Sequence, residues 1–141
     1  MHAQDLFEQK DDQFVRSLDE SYQRGLSFLQ ATQDDQGRWS DSSYGSEPGV
    51  LAMAVLSFLS RGDDPEFGPY ANCIKKSIDQ IIKLQNVETG YIGSSMYNHG
   101  FSTLALAEYY GISNDVRIGP ALKKATNLIV CAQTRNSQVA W

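Results

Sequence analysis

Two kinds of apolar pattern alternate along this 141-residue chain. Phe14, Leu18, Tyr22, Leu26 and Leu29 recur at helical spacing, with Arg16, Asp19, Glu20, Gln23 and Arg24 opposite them, which predicts an amphipathic helix. The stretch from Val50 to Leu59, VLAMAVLSFL, is apolar on nearly every side and predicts a helix surrounded by other helices. Ala71, Ile74, Ile78, Ile81 and Ile82 then oppose Lys75, Lys76, Asp79 and Lys83, a second helix with one wet face. Phe101, Leu104, Ala105, Leu106, Ala107 and Tyr110 form another mostly apolar run, interrupted by Ser102, Thr103 and Glu108. The last segment sets Ile118, Leu122, Ala125, Ile129 and Ala132 against Lys123, Lys124 and Asn127. The expected order is outer, inner, outer, inner, outer. No stretch alternates with period two for long enough to make a sheet, so the expected class is all-α.

Punctuation agrees with those boundaries. Ser46, Glu47 and Pro48 offer a cap, an acid and a first-turn proline to the first inner helix, and Gly62 lies past its end. Asn98 is expected to cap the second inner helix and Gly111 to close it. Gly68-Pro69 and Gly119-Pro120 open the later outer helices. Residues 1–12 form a polar N-terminal segment with a short helix around Gln4 to Lys10, and residues 13–141 form the repeat domain. Ser40 to Gly45, rich in Ser, Asp, Tyr and Gly, reads as an exposed loop.

A phrase closing the outer helices recurs about every fifty residues. It is fullest in GLSFLQATQDDQGRW, with Gln33, Gly37 and Trp39, and returns in SIDQIIKLQNVETGY, with Gln85, Gly90 and Tyr91. A third version, ALKKATNLIVCAQTRNSQVAW, carries Gln133 and Trp141. A glutamine amide at a helix end can bond a neighbouring segment, a following glycine can take a left-handed turn, and an aromatic ring can cover the junction. The phrase therefore reads as a structural clasp between repeats.

These phrases resemble the Gln-to-Trp motif of squalene and oxidosqualene cyclases, and the helix alternation is similar to the α/α-toroid of those cyclases and of protein prenyltransferase β subunits. RGDDPEFGPYANCIKKSIDQIIKLQ and GYIGSSMYNHGFSTLALAEYYG resemble the bacterial prenyltransferase/squalene oxidase repeat proteins. The likeness runs from about Tyr22 to Trp141. It implies a partial α/α-toroid of about three helix pairs, whereas a closed ring of this kind takes about six. Missing C-terminal repeats or self-association would complete it.

The chemistry of that superfamily is not carried over. The cyclases protonate isoprenoids with an Asp-x-Asp-Asp motif, which is absent; Asp34-Asp35 belongs to a clasp and Asp63-Asp64 to a polar turn. The prenyltransferases hold zinc through Asp, Cys and His on their inner helices, yet Cys73 and Cys131 fall on outer helices and the histidines are His2 and His99. No metal site and no cofactor are expected, and phosphate loops, nucleophile elbows and Cys-x-x-Cys pairs are lacking. What remains is a polar and aromatic group at the inner-helix starts: Tyr44 and Glu47 at one, Tyr97, Asn98 and His99 at the other. These could line the mouth of an apolar cavity, or simply cap helices and satisfy backbone groups.

Charge narrows the partners. A net charge of −5 and no basic stripe disfavour nucleic acid, and no apolar run reaches the ~20 residues of a membrane span. The polar, acidic start does not resemble a secretory leader and the two cysteines read as free thiols, so a cytoplasmic location is slightly favoured. Two readings of function follow. In the first the chain is a non-catalytic toroid module that binds an apolar, isoprenoid-like ligand or a protein partner on its inner-helix side. In the second it is the N-terminal part of an isoprenoid-acting enzyme whose catalytic residues lie elsewhere.

Overall fold

The computed structural model describes residues 3–39 and 43–135, with side chains described between Asp12 and Gln133. Five helices follow one another: α1 (Ala3–Thr32), α2 (Pro48–Leu59), α3 (Ala71–Lys83), α4 (Met96–Ile112) and α5 (Ile118–Arg135). Among the described residues there is no strand, only an isolated antiparallel bridge between Gln85 and Ile92. The all-α expectation holds.

Helix α1 is a compact unit by itself. The short N-terminal helix and its successor are continuous, because no proline or glycine interrupts the chain from Gln4 to Arg24. Its apolar positions Phe14 and Leu18 are exposed, as are Val15 and Phe28.

The second unit, from Gln33 onward, is built on α2 and α4 lying side by side. They run parallel, since Asn98 near the start of α4 bonds Glu47 and Gly49 at the start of α2, while Leu59 and Ile112 share a pocket at the far ends. Helix α3 returns antiparallel to α2 and α5 antiparallel to α4. The core between these layers combines Leu51, Val55 and Phe58 of α2, Leu106 and Tyr109 of α4, Ile74, Ile78 and Ile81 of α3, and Ile118 and Ala125 of α5. Each large side chain contributes about 1.5–3 kcal/mol on burial. The Phe58 ring also stacks on Tyr70 at 4.9 Å, fixing the connection into α3. On α3 the apolar positions point inward while Lys75 and Lys83 stay in water, as its amphipathic pattern requires.

Four expectations change. Glu47, rather than Ser46, is the N-cap residue of α2 and makes no side-chain cap bond of its own. Ser95, rather than Asn98, caps α4, its hydroxyl accepting from the Asn98 amide at 3.2 Å. Gly111 falls inside the last turn of α4, which ends at Ile112. Most consequentially, α2 is not enclosed on all sides. Helices α3 and α4 cover one side, burying Leu51, Ala52, Ala54, Val55 and Phe58, while Met53 is exposed and Leu56, Ser57 and Leu59 are half-buried.

Candidate functional site

The clasps are built on the same local geometry twice. After Gln33, the Asp34 carboxylate accepts from the amides of Gln36 and Arg38; after Gln85, the Asn86 side-chain oxygen accepts from those of Glu88 and Thr89. These Asx turns fold the chain back so that Asp34 N–H reaches Arg38 O, and Asn86 N–H reaches Tyr91 O, each at 2.8 Å. Burial would raise the Asp34 carboxyl, but the Arg38 and Gln36 amides and the Arg38 guanidinium outweigh it and hold the group below the usual carboxylate range. Gly37 and Gly90 both sit at φ +77°, and a Cβ on either would lie within 2.5–2.7 Å of helix backbone, α3 at Lys76 and α5 at Lys124. Glycine is required there twice over, by conformation and by space.

The glutamines then lock each loop to that helix. Gln33 Nε2 donates to Cys73 O at 3.0 Å and to Ser77 Oγ at 2.9 Å, and Ser77 Oγ donates onward to Gly37 O at 3.0 Å. Gln85 Nε2 donates to Ala121 O at 2.9 Å and directly to Gly90 O at 3.0 Å. Cys73 and Ala121, like Ser77 and Ala125, stand 48 residues apart, so the two locks share one register. In that register the residue two past the glycine is Trp39 in the first clasp and Ile92 in the second, buried to 6% and 0% exposure. Ile92, not Tyr91, is thus the counterpart of Trp39; Tyr91 is half-buried and stacks on His99 at 5.2 Å. In the third phrase Gln133 is exposed and Trp141 lies outside the described residues.

The group at the inner-helix starts divides. Glu47 and Asn98 do meet: Asn98 Nδ2 donates to Glu47 Oε2 at 2.6 Å, while its Oδ1 accepts from Gly49 N–H at 3.2 Å. Asn98 thereby caps the neighbouring helix instead of its own. His99 is fully buried. Its Nδ1 accepts from Ile92 N–H at 3.1 Å, which puts the ring proton on Nε2, 3.1 Å from Ala125 O. Burial pushes the imidazole pKa down, only partly offset by the bond to Ala125, so the ring is a neutral strut joining the second clasp, α4 and α5. Tyr44 and Tyr97 are exposed. Tyr97 leans on Phe101 at 4.7 Å and its hydroxyl lies 3.9 Å from Met53 Sδ, away from the buried imidazole. These five residues do not converge on one reacting centre.

What the structure offers instead is a surface that periodicity alone did not reveal. The side of α2 and α4 facing away from α3 and α5 carries Met53, Tyr97 and Leu104 at 36%, 60% and 47% exposure, with Leu56 and Phe101 half-buried beside them. It continues into a pocket of about 680 Å³ floored by Leu56, Leu59 and Ile112 and rimmed by Asp63, Asp64 and Glu108. Asp63 is held by Arg61 at 2.8 Å. A second open groove of about 850 Å³ lies between the α2–α3 and α4–α5 connections, where most carboxylates already have partners. There Glu66 accepts twice from Asn114, and Arg117 bridges Asp79 and Asp115. Burial and the carboxylates of Asp115 and Glu66 raise the Tyr109 phenol, keeping it neutral in that wall.

Among the described residues no group of three or more His, Cys, Asp or Glu could hold a metal ion, and no helix is long and apolar enough to cross a membrane. Comparison with known protein families, with curated proteins and with solved structures finds no match.

Proposed function

We propose that this chain is a segment of α/α-toroid of the terpenoid cyclase and prenyltransferase type that acts as a binding module, its working surface being the exposed face of α2 and α4. The observation that carries the reading is that face itself. Helices apolar on both sides are used with one side in the core and the other left open, where water around Met53, Tyr97 and Leu104 makes a contiguous apolar patch costly unless something binds there. Two clasps in one register, alternating with amphipathic outer helices, support the toroid-like arrangement. A buried, fully bonded His99 and an Asp63 tied to an arginine leave binding, rather than proton transfer, as the activity these residues support best.

A toroid of this type would present its inner helices to an apolar, isoprenoid-like ligand or to the apolar surface of a protein. Titration of the chain with a neutral C15 isoprenoid alcohol, followed by Tyr and Trp fluorescence, tests the ligand-binding form. Leu104→Glu is expected to abolish saturable binding while Lys83→Glu, on the outer helix α3, leaves it unchanged. Equal binding by both variants would show that the inner-helix face is not the surface used.

A further inference from the structure

We infer that the partner on this face is a second copy of the chain, docked with the two α4 helices antiparallel and crossing at Leu104; this rests on the reading of the α2–α4 face as the working surface. The exposed stripe of α4 is uneven in size, and its last turn also exposes Ile112. Tyr97 and the half-buried Phe101 stand toward its start, Leu104 at its middle, and Ala107 and Gly111 toward its end. Turning one copy end over end about Leu104 sets Tyr97 opposite Gly111, Phe101 opposite Ala107 and Leu104 against its own symmetry mate. Both rings on the stripe meet a gap, as ridge-into-groove packing favours, while Met96 and Ile112 meet as two large side chains at its edges. A parallel pairing would set ring on ring and gap on gap.

Helix α2 follows the same rule. Asn98 bonds Gly49, so Leu104 is level with the stretch around Val55 and Leu56. The same rotation brings Met53 toward Ser57, again large against small. The patch is also of adequate size. The 17 residues of α4 span about 25 Å, and two helices side by side make it about 20 Å wide. That is on the order of 500 Å² in projection, and side-chain relief raises it toward the ~800 Å² per partner of a standard specific interface.

The face itself bears one charged side chain among its described residues, Glu108, which the rotation sets opposite Gly100 and one turn from Tyr97 of the second copy. That tyrosine hydroxyl can donate to it, removing the cost of burying an unbonded carboxylate. The rotation sets Glu47 at one end of the patch toward Asp63 and Asp64 at the other end of the second copy, like charges at both ends. Association therefore strengthens with added salt, opposite to an interface held by ion pairs.

Sedimentation velocity over micromolar concentrations and two salt levels, with crosslinking, tests this. A dimer is expected, tighter at high salt. In a Cys131→Ser background, Leu104→Cys forms an intermolecular disulfide on mild oxidation while Lys83→Cys does not. Ala107→Phe, an exposed position whose helicity is checked by circular dichroism, weakens dimerisation by roughly a hundredfold or more, because symmetry imposes the clash twice. Adding Phe101→Ala to Ala107→Phe exchanges ring and gap and restores the dimer. A strictly monomeric chain, or a dimer indifferent to Ala107→Phe and uncrosslinked through Leu104→Cys, overturns the inference. If the chain stays monomeric yet binds the C15 alcohol in a Leu104-dependent way, this inference fails and the binding module stands.

Discussion

Replacing Gly37 with alanine tests the clasp, and Gly62 supplies the internal reference. Both glycines have left-handed backbone, φ +77° and +83°, so both substitutions bear the same conformational penalty of about 1–2 kcal/mol. They differ in what the new methyl group meets. At Gly62 there is nothing within 4 Å, whereas at Gly37 the Cβ lies 2.5 Å from the carbonyl carbon and oxygen of Lys76 and 2.7 Å from the Ser77 nitrogen. Those atoms are helix backbone and cannot swing aside, so the loop must lift away. Overpacking of that kind costs about 1–3 kcal/mol, and lifting the loop also breaks the Ser77 to Gly37 hydrogen bond, worth about 1 kcal/mol more. The expected losses are ~1–2 kcal/mol for Gly62→Ala and ~3–6 kcal/mol for Gly37→Ala, the larger a sizeable part of the ~5–15 kcal/mol that usually holds a domain together. Urea unfolding followed by the fluorescence of Trp39, in a Trp141→Phe background, reads the clasp directly because Trp39 is buried in it. Equal losses for the two variants would refute the claim that the glycine is required by contact with α3.

Two further outcomes follow from the polar struts. His99 has a folded pKa below its ordinary 6.5, so the unfolded chain takes up a proton that the folded chain resists. Its contribution to stability is complete above pH about 6.5 and declines as pH falls from there through the lower folded value; His99→Gln is expected to flatten the unfolding midpoint across that window, and an unchanged slope would exclude the buried neutral imidazole. Asn98→Asp sets a carboxylate against Glu47, where a 2.6 Å hydrogen bond now stands, and is expected to cost about 2–4 kcal/mol at pH 7. The like charges raise the pair's folded pKa, so part of that loss returns as pH falls and one oxygen takes a proton; melting temperatures that track those of the parent at every pH would count against the contact.

The parts of this fold legible from sequence are those governed by local periodicity. Ile74, Ile78 and Ile81 against Lys75 and Lys83 announced both the helix α3 and the face it buries, because spacing and chemistry agreed. Gln33, Gly37 and Trp39 announced a clasp because each residue type answers a local backbone need. The register of the second clasp was harder: its loop is one residue longer between glutamine and glycine, and Tyr91 is the nearer aromatic, yet the buried position falls to the aliphatic Ile92. Asn98 misled for a related reason. Its position suits a cap for its own helix, but Ser95 fills that role, and the free amide turns to a helix that is 49 residues away at Gly49. No local rule contains that contact.

The open side of α2 and α4 was illegible for a deeper reason. A run such as VLAMAVLSFL reads the same whether its second side meets core or a binding partner, since burial in either removes the same apolar area from water. Only coordinates separate Val55, fully buried against neighbouring helices, from Met53, left at 36% exposure two residues earlier. His99, the residue with the most catalytic potential by type, has both ring nitrogens committed to backbone groups. Tyr97 and Leu104, which carry little chemistry, occupy the accessible surface. On the proposed binding reading, a face of that composition works by excluding water and by shape, with Tyr97 near one end and Leu104 at its middle.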